Sequence, residues 1–377
     1  MKILLVPDSF KGSMTAAEVC GILEKAALEA VPGAEVRAFP AADGGEGTLD
    51  AVQRAAGGQF VIEPATGASG QPVRARYLSL GDTAVIGLSE TAGPQHRAPG
   101  FSAGTTTTFG AGQLALAAIR AGHRRIVFAL GGSATQDMGC GIAAALGTVF
   151  TDERGRAFLP TGNTLRNVRA VRVNPAFFRP DGIRVSALCD VDNPLYGPQG
   201  AASVFGPQKG AGPEEIALFD EGARHLSQIF AKAGGARLNG VRGAGAAGGA
   251  GGGIVMFLNG ALLSGAGMML ELMHFAEEAR TSDLIVTGEG RVDAQSAGGK
   301  LVSMVAGMAG GRPVAVLAGA VDPKADLAPL YEKGVTAVFS ALRSPASGAE
   351  AMAGAKESLA RAARDLFRFA AAMKREG

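Results

Sequence analysis

The stretch MKILLVPDSFKGSMTAAEV, residues 1–19, decides the fold. Lys2–Val6 is a short continuous apolar run ended by Pro7, the pattern of a strand buried on both faces. Thr15 and Glu18 stand at capping-box spacing. Behind them Val19, Ile22, Leu23, Ala26, Ala27 and Ala30 recur at helical period. Asp8–Met14 is therefore a strand-to-helix loop. In an open parallel sheet such loops lie at the carboxyl edge, where ligands bind, and the next helix's N-terminus favours anions.

The same grammar recurs outward from this stretch. Glu35–Phe39 reads as a strand, Ala42–Gly47 as its edge loop, and a helix follows from about Thr48. Near the other end, strands are expected at Asp283–Thr287, Pro313–Ala318 and Thr336–Ser340, with loops at Gly288–Gly299 and Gly319–Asp322. Ala349–Lys374 reads as one helix. Alternating strands and helices imply parallel βαβ units. The middle differs: Val73–Leu80 and Thr83–Leu88 read as antiparallel strands, Arg125–Leu130 and Arg184–Leu188 as further strands. Thr108–Ala121 and Leu218–Lys232 read as helices. The predicted fold class is α/β, with a Rossmann-like parallel-sheet domain built from both chain ends (residues 1–64 plus 283–377). A second α/β domain (residues 65–282) is inserted in it. No internal repeat is visible.

Composition narrows the function. The chain has 377 residues, 47% of them hydrophobic and 19% charged, enough for two compact domains. A net charge of +2 gives no electrostatic case for nucleic acid or a membrane surface. Trp is absent and Tyr occurs only 3 times, which argues against base-stacking platforms. Cys20, Cys140 and Cys189 are far apart, so a disulfide framework or zinc site is not expected and a reducing cytoplasm fits. No uninterrupted apolar run reaches membrane-spanning length. The opening run is short and reads as a strand, not a signal peptide.

Five glycine-rich polar signatures stand in apolar surroundings: PDSFKGS (7–13), ADGGEGT (42–48), GGSATQD (131–137), FGPQKGAG (205–212) and TGEGRVDAQSAGGK (287–300). Glycine lets backbone amides approach a ligand, carboxylates hold Mg²⁺ or accept protons, and lysines and hydroxyls hold phosphate. Neither GxxxxGK[ST] nor a GxGxxG after the first strand is present, which disfavours P-loop and dinucleotide readings. The phosphate candidates are the backbone nests at Gly131, Gly132, Ser133 and Thr135 and at Gly288–Gly290, with Lys11, Lys209 and Lys300.

Seven carboxylates sit at or just after predicted strand ends: Asp8, Asp43, Glu46, Asp137, Asp190, Glu289 and Asp293. Any one alone reads equally as a turn residue. Asp190 emerges from the buried strand Arg184–Leu188, where desolvation raises a carboxyl pKa toward useful basicity; Asp192 is the alternative. His123 and His225 read as surface helix residues, and the four histidines have no metal or triad spacing. No G-x-S-x-G elbow occurs, which disfavours a hydrolase. Cys189 reads as a small buried residue and not a nucleophile. GAGAAGGAGGG (243–253) reads either as a flexible linker or as close packing of small residues, and Arg242 beside it can bind a carboxylate.

Taken together and in order, MKILLVPDSFKGSMTAAEV, ADGGEGT, GGSATQD, ALCDVDNPLYGPQGAASVFGPQKGA, GAGAAGG and TGEGRVDAQSAGGK resemble the glycerate kinases of the bacterial type across essentially the whole chain. The resemblance implies ATP-dependent phosphorylation of D-glycerate with Mg²⁺, in a cleft between two α/β domains that closes over substrate. It implies a first cleft loop with Asp8, Ser9 and Lys11, and a second with Asp43, Gly44, Gly45 and Glu46. Asp190 and Asn193 resemble the central substrate loop, with Lys209 as its basic neighbour, and Glu289, Asp293 and Lys300 the closing loop. Asp190 would then take the proton from a glycerate hydroxyl, assisted by Asp8 and Lys11. Mg²⁺ would lie among Asp43, Glu46, Glu289 and Asp293. Lys11, Arg242 or Arg291 would meet the glycerate carboxylate. The sequence departs from the family pattern at Thr108–Ala115 (TFGAGQLA), which lacks an expected Arg and Glu, and at Met138, where glycine is usual. The 2-phosphoglycerate product is favoured; the 3-product, a related hydroxy acid and a non-catalytic hydroxy-acid sensor are the alternatives. A homodimer is left open.

Overall fold

The computed structural model describes residues 1–10, 12–40, 47–179, 182–189, 191–232, 238–293, 301–342 and 348–374. Lys11, Asp43, Gly44, Gly45, Glu46, Asp190 and Lys300, all singled out above, lie outside them. The chain divides into two compact units. The first comprises Met1–Ala42, Arg54–Ala56 and Ala266–Gly377, the second Asp43–Gln53 and Gly57–Gly265.

In the first unit Ile3, Leu4 and Leu5 are fully buried and Val6 nearly so, as a strand covered on both faces requires. That strand, Lys2–Pro7, pairs in parallel with Glu35–Ala38 on one side and Leu284–Gly288 on the other. Val314–Ala318 and Ala337–Ser340 extend the sheet in parallel beyond Leu284–Gly288. The chain thus runs outward in both directions from Lys2–Pro7. This is a topological switch point, where two neighbouring carboxyl ends part their loops and leave a crevice. Thr15 caps the helix Ala16–Ala30, accepting from Glu18 N at 3.2 Å while the Glu18 carboxylate accepts from Thr15 N at 2.9 Å. That helix buries Val19, Leu23 and Ala27 with Leu359, Ala363 and Phe367 of the C-terminal helix Ala355–Lys374. Phe367 is fully buried, so its truncation to alanine would destabilise by roughly 3–5 kcal/mol. The expected single C-terminal helix is two, Gly348–Ala353 and Ala355–Lys374, separated at Gly354.

The second unit is built on a mixed six-stranded sheet. Gln59–Thr66, Pro72–Leu80 and Thr83–Gly87 form an antiparallel meander. Thr83–Gly87, Arg125–Ala129, Arg184–Leu188 and Ala261–Leu263 run parallel, with Leu188 opposite Ala129. The loops after Ala129 and Leu188 therefore leave from the same edge, side by side. The helices Phe109–Arg120 and Cys140–Ala145 pack on this sheet, with Leu114, Ala118, Ile142 and Phe128 in one core. A further small antiparallel sheet of Val149–Thr151, Ala157–Phe158 and Ala170–Arg172 has strands too short to show a sequence period.

One alternative is decided and one expectation is corrected. Of the two readings of Gly243–Gly253, close packing holds and the linker does not: Gly248 to Ile254 are buried at the start of a helical segment, Ala246–Leu258. Its first turn is interrupted by three left-handed residues, Ala247, Gly248 and Gly249. His123 is not a surface residue. It is buried, its Nε2 is 3.2 Å from Ser79 Oγ, and its ring stands edge-on to Tyr77. His225 is half-buried, with Nε2 2.8 Å from the Val168 carbonyl.

Candidate active site

In the first unit the polar residues gather at the switch point. Asp8 follows directly on Pro7 and its amide donates to the Gly288 carbonyl at 2.8 Å. Its carboxylate Oδ1 accepts from the amide of Ser9 at 2.6 Å and from Ser9 Oγ at 3.3 Å. Thr287 Oγ1, fully buried, donates to the Val6 carbonyl at 2.8 Å, so the two strand ends are fastened together where their loops diverge. Gly288 has no room for a side chain, because a Cβ would strike the Leu317 carbonyl. The amides of Gly319 and Ala320 donate to the carbonyls of Glu289 and Gly290 at 3.0 and 3.1 Å. Asp8, Ser9, Gly288, Glu289 and Gly290 thus share one sheet edge. Arg291 lies on the short strand Arg291–Val292, mostly exposed, and donates to Asp322 Oδ2 at 2.6 Å.

In the second unit the GGSATQD loop follows Arg125–Ala129 and precedes the helix Cys140–Ala145. Gly132 has φ +72°, where glycine is favoured. Neither Ser133 nor Thr135 caps the helix; the cap position is Gly139, in the left-handed region. What closes the loop is Lys209, from the short helix Pro207–Lys209. Its ammonium donates to the Thr135 carbonyl at 2.8 Å and to Ser133 Oγ at 3.2 Å, and its own carbonyl accepts from Arg97 Nη1 at 2.7 Å. Lys209 is only 7% exposed, and burial pushes its pKa down to about 7 against the opposing pull of the Asp137 charge. The cation is therefore poised to gain from any anion brought to the loop. Thr135 Oγ1 and Gln136 Nε2 are buried without a hydrogen-bond partner among the described residues.

Asp137 is fully buried. Its Oδ2 accepts from Thr108 N at 2.8 Å, Thr108 Oγ1 at 2.9 Å, Gly141 N at 3.2 Å and Thr107 Oγ1 at 3.4 Å, and its Oδ1 accepts from Gly139 N at 3.1 Å. Burial raises the carboxyl pKa above its ordinary value, and these donors oppose the rise only in part. Three of the partners are backbone amides, which can only donate, so the loop is built for the ionised form. The same contacts reach the TFGAGQLA stretch, though not the two positions where Arg and Glu are expected, Phe109 and Gln113. Thr108 is buried against Asp137, and Gly112 packs so closely on the helix Cys140–Ala145 that a Cβ would meet the Ile142 carbonyl at 2.6 Å.

The loop that the resemblance assigns to substrate leaves the adjacent strand, Arg184–Leu188. Cys189 Sγ donates to the Val191 carbonyl at 3.2 Å, a structural and not a nucleophilic posture. Asn193 Nδ2 donates to the Gln199 carbonyl at 2.9 Å, and the Asn193 carbonyl accepts from Gly245 N at 2.9 Å. Arg242 holds Asp192 through two bonds, Nε–Oδ1 at 3.0 Å and Nη2–Oδ2 at 2.7 Å, on the surface. The glycine-rich segment lies between the two loops. A Cβ on Gly245 would strike the Pro194 carbonyl, and one on Gly248 the Thr135 carbonyl. Met138, in the left-handed region at φ +52°, donates its amide to the Gly248 carbonyl at 3.1 Å. In this unit, then, Gly131–Thr135 and Lys209 come together, whereas the side chains of Asn193 and Arg242 are engaged in local bonds. Asp137's donors, and the role of Gly245 and Gly248, were missed by sequence reading; glycine density was the only signal for the last two.

Among the described residues no group of three or more His, Cys, Asp or Glu side chains is placed to hold a metal. Glu289 and Asp293 bracket Arg291–Val292. They are hard oxygen donors of the kind that Mg²⁺ takes one or two at a time beside waters and substrate phosphates, and they form no full protein cage. No described helix is long and apolar enough to cross a membrane.

Comparison with known proteins agrees with the sequence resemblance. The sequence model of the Glycerate kinase family matches residues 3–371. The chain is 38% identical over 370 residues to the glycerate kinase of Bacillus subtilis (strain 168), covering 97% of each chain. It is 36% identical over 374 residues to the glycerate 2-kinase of Escherichia coli (strain K12), again covering 97% of each. A crystal structure of a proposed glycerate kinase 2 from Salmonella typhimurium LT2 superposes with a TM-score of 0.79 at 33% identity, over 100% of this chain and 99% of that one. The chain belongs to the glycerate kinase family and is a kinase.

Proposed function

We propose that the chain transfers the γ-phosphoryl group of MgATP to the 2-hydroxyl of D-glycerate, giving 2-phosphoglycerate and ADP. The observation that carries this reading is the Lys209 ammonium held at Ser133 and Thr135 on a glycine-rich loop at a sheet edge. Phosphoryl transfer asks little covalent chemistry of the protein and much positioning and charge neutralisation. Lys209 would meet a phosphoryl or carboxylate oxygen at the Gly131–Thr135 loop, whose Ala134 amide is already given to the Ala92 carbonyl, and Gly288 and Gly290 would offer backbone amides at the first unit's sheet edge. Lys11 and Lys300 add charge. Asp190 takes the hydroxyl proton, with Asp8 and Ser9 orienting the acceptor. Mg²⁺ held by Glu289 and Asp293, with Asp43 and Glu46, would neutralise charge on the nucleotide phosphates. Arg242 and Arg291 each already carry an acid partner, Asp192 and Asp322, so either binds the glycerate carboxylate only by exchanging that partner.

Two measurements test this. Steady-state ADP release with ATP, Mg²⁺ and a panel of D-glycerate, L-glycerate, tartronate and hydroxypyruvate should single out D-glycerate; turnover of another acid instead would reassign the substrate. Asp190→Asn should lose roughly a hundred-fold or more in kcat with its fold intact. Near wild-type turnover would remove Asp190 from the role.

A further inference from the structure

The sequence counted Asp137 among seven carboxylates that could hold Mg²⁺ or take a proton. Its surroundings rule out both roles. It has no exposed surface, and its Oδ2 is taken by donors from Thr107, Thr108 and Gly141. What it does instead is visible in where those donors come from. Thr107 and Thr108 precede the helix Phe109–Arg120, whereas Gly139 and Gly141 belong to the turn that ends the GGSATQD loop. One carboxylate joins two segments about thirty residues apart and stands one residue from Gln136 and two from Thr135, whose carbonyl holds Lys209.

We propose that Asp137 is a positioning residue for phosphoryl transfer: its buried carboxylate fixes the Gly131–Gly139 loop to Thr107 and Thr108 and so sets the place of the Thr135 carbonyl that holds the Lys209 ammonium. Several observations support this. The donor set is complete and buried, so the loop conformation is held by five bonds to one side chain. Thr108 Oγ1, which donates to Asp137, also accepts from Ile142 N at 3.1 Å, tying the same hub to the helix that follows the loop. Lys209 meets neutral oxygens at Ser133 and Thr135, Arg97 touches only its carbonyl, and the Asp137 charge opposes the effect of burial on its pKa. Without the Asp137 charge, burial alone would act on Lys209 and its proton would leave at lower pH. The proposal rests on the kinase reading for its activity readout, but the coupling between the two residues does not.

The test compares wild type with Asp137→Asn and Thr108→Val. The first removes the charge and replaces one of the two acceptor oxygens by a donor; the second keeps the charge and removes one donor. For wild type, kcat/KM should fall as pH rises through about 7, where Lys209 loses its proton. In Asp137→Asn that fall should move down by about one pH unit or more, with kcat/KM roughly ten-fold or more lower on the plateau. Thr108→Val should lose several-fold in kcat/KM and leave the position of the fall unchanged. A second readout needs no substrate: the pH at which thermal stability begins to rise should also move down in Asp137→Asn. An unmoved pH profile and an unmoved stability profile would overturn the coupling. If Asp137→Asn does not fold, wild-type kinetics in Thr108→Val would overturn the positioning role. If wild type turns over no hydroxy acid but the stability profile shifts as stated, the kinase reading fails and the coupling stands.

Discussion

The Lys209 ammonium lies 2.8 Å from the Thr135 carbonyl oxygen and 3.2 Å from Ser133 Oγ, so a cation some 70 residues downstream closes the GGSATQD loop. It does so with almost no contact with water, and this leaves a measurable trace. The pKa of Lys209 falls from 10.5 to about 7 on folding. The unfolded chain therefore binds more protons than the folded one above pH 7, and stability rises with pH from there. The clean window ends near pH 8.5, where unfolded thiols begin to titrate. Lys209→Met should be more stable than wild type at pH 6, should lack that rise, and should lose roughly a hundred-fold or more in kcat. Thermal melts at intervals between pH 6 and 8.5 check this; a wild-type profile as flat as that of the variant would refute the buried-cation account.

Gly248 is the second pressure point. It has φ +67°, and a Cβ there would strike the Thr135 carbonyl and approach Gln136 Cα to 2.9 Å. Gly248→Ala should destabilise the protein by roughly 2 kcal/mol or more and displace the carbonyl that holds Lys209, raising KM as well. Gly21 is the control. It lies exposed inside the helix Ala16–Ala30 with nothing within 4 Å of a Cβ, so Gly21→Ala should stabilise by roughly 0.5–1 kcal/mol. Denaturant melts of the two variants should shift in opposite directions; shifts of the same sign would contradict the packing described for the glycine segment.

How much of this was legible beforehand depended on how local each cause was. Lys2–Val6, the Thr15–Glu18 capping box and the strand Arg184–Leu188 are set by neighbours in sequence, and each was readable as periodicity or as a cap. Asp137 was visible only as one carboxylate in seven, because its donors at Thr107 and Thr108 lie about thirty residues back and meet it only when two helices pack. His123 follows a helix end and reads as exposed; it is buried because Tyr77 and Ser79 of a distant strand cover it. The glycines of 243–253 announced themselves by number but not by purpose. Only the carbonyls of Pro194 and Thr135 show why Gly245 and Gly248 cannot carry a side chain.

The capping box gives a third expectation. Glu18 accepts from Thr15 N and from Lys356 Nζ, the latter at 2.7 Å, and these bonds lower its pKa from 4.5 to about 2, with the Lys356 bond foremost. A carboxyl depressed on folding contributes stability that is present above pH 4.5 and lost as pH falls toward 2. Glu18→Gln should therefore melt below wild type at pH 7, by an amount that shrinks as the pH is lowered through this window. A constant difference from pH 7 to 3 would mean that the charge contributes nothing.

Phosphoryl transfer to the 2-hydroxyl can be read in a proton-coupled phosphorus NMR spectrum of the protein with ATP, Mg²⁺ and D-glycerate. The ATP γ-signal should disappear, ADP should grow, and a new phosphomonoester resonance should appear, split into a doublet by the single hydrogen on carbon 2. A triplet would place the phosphate on the 3-hydroxyl and correct the regiochemistry. An unchanged ATP spectrum in the presence of D-glycerate would mean that the protein does not phosphorylate this acid.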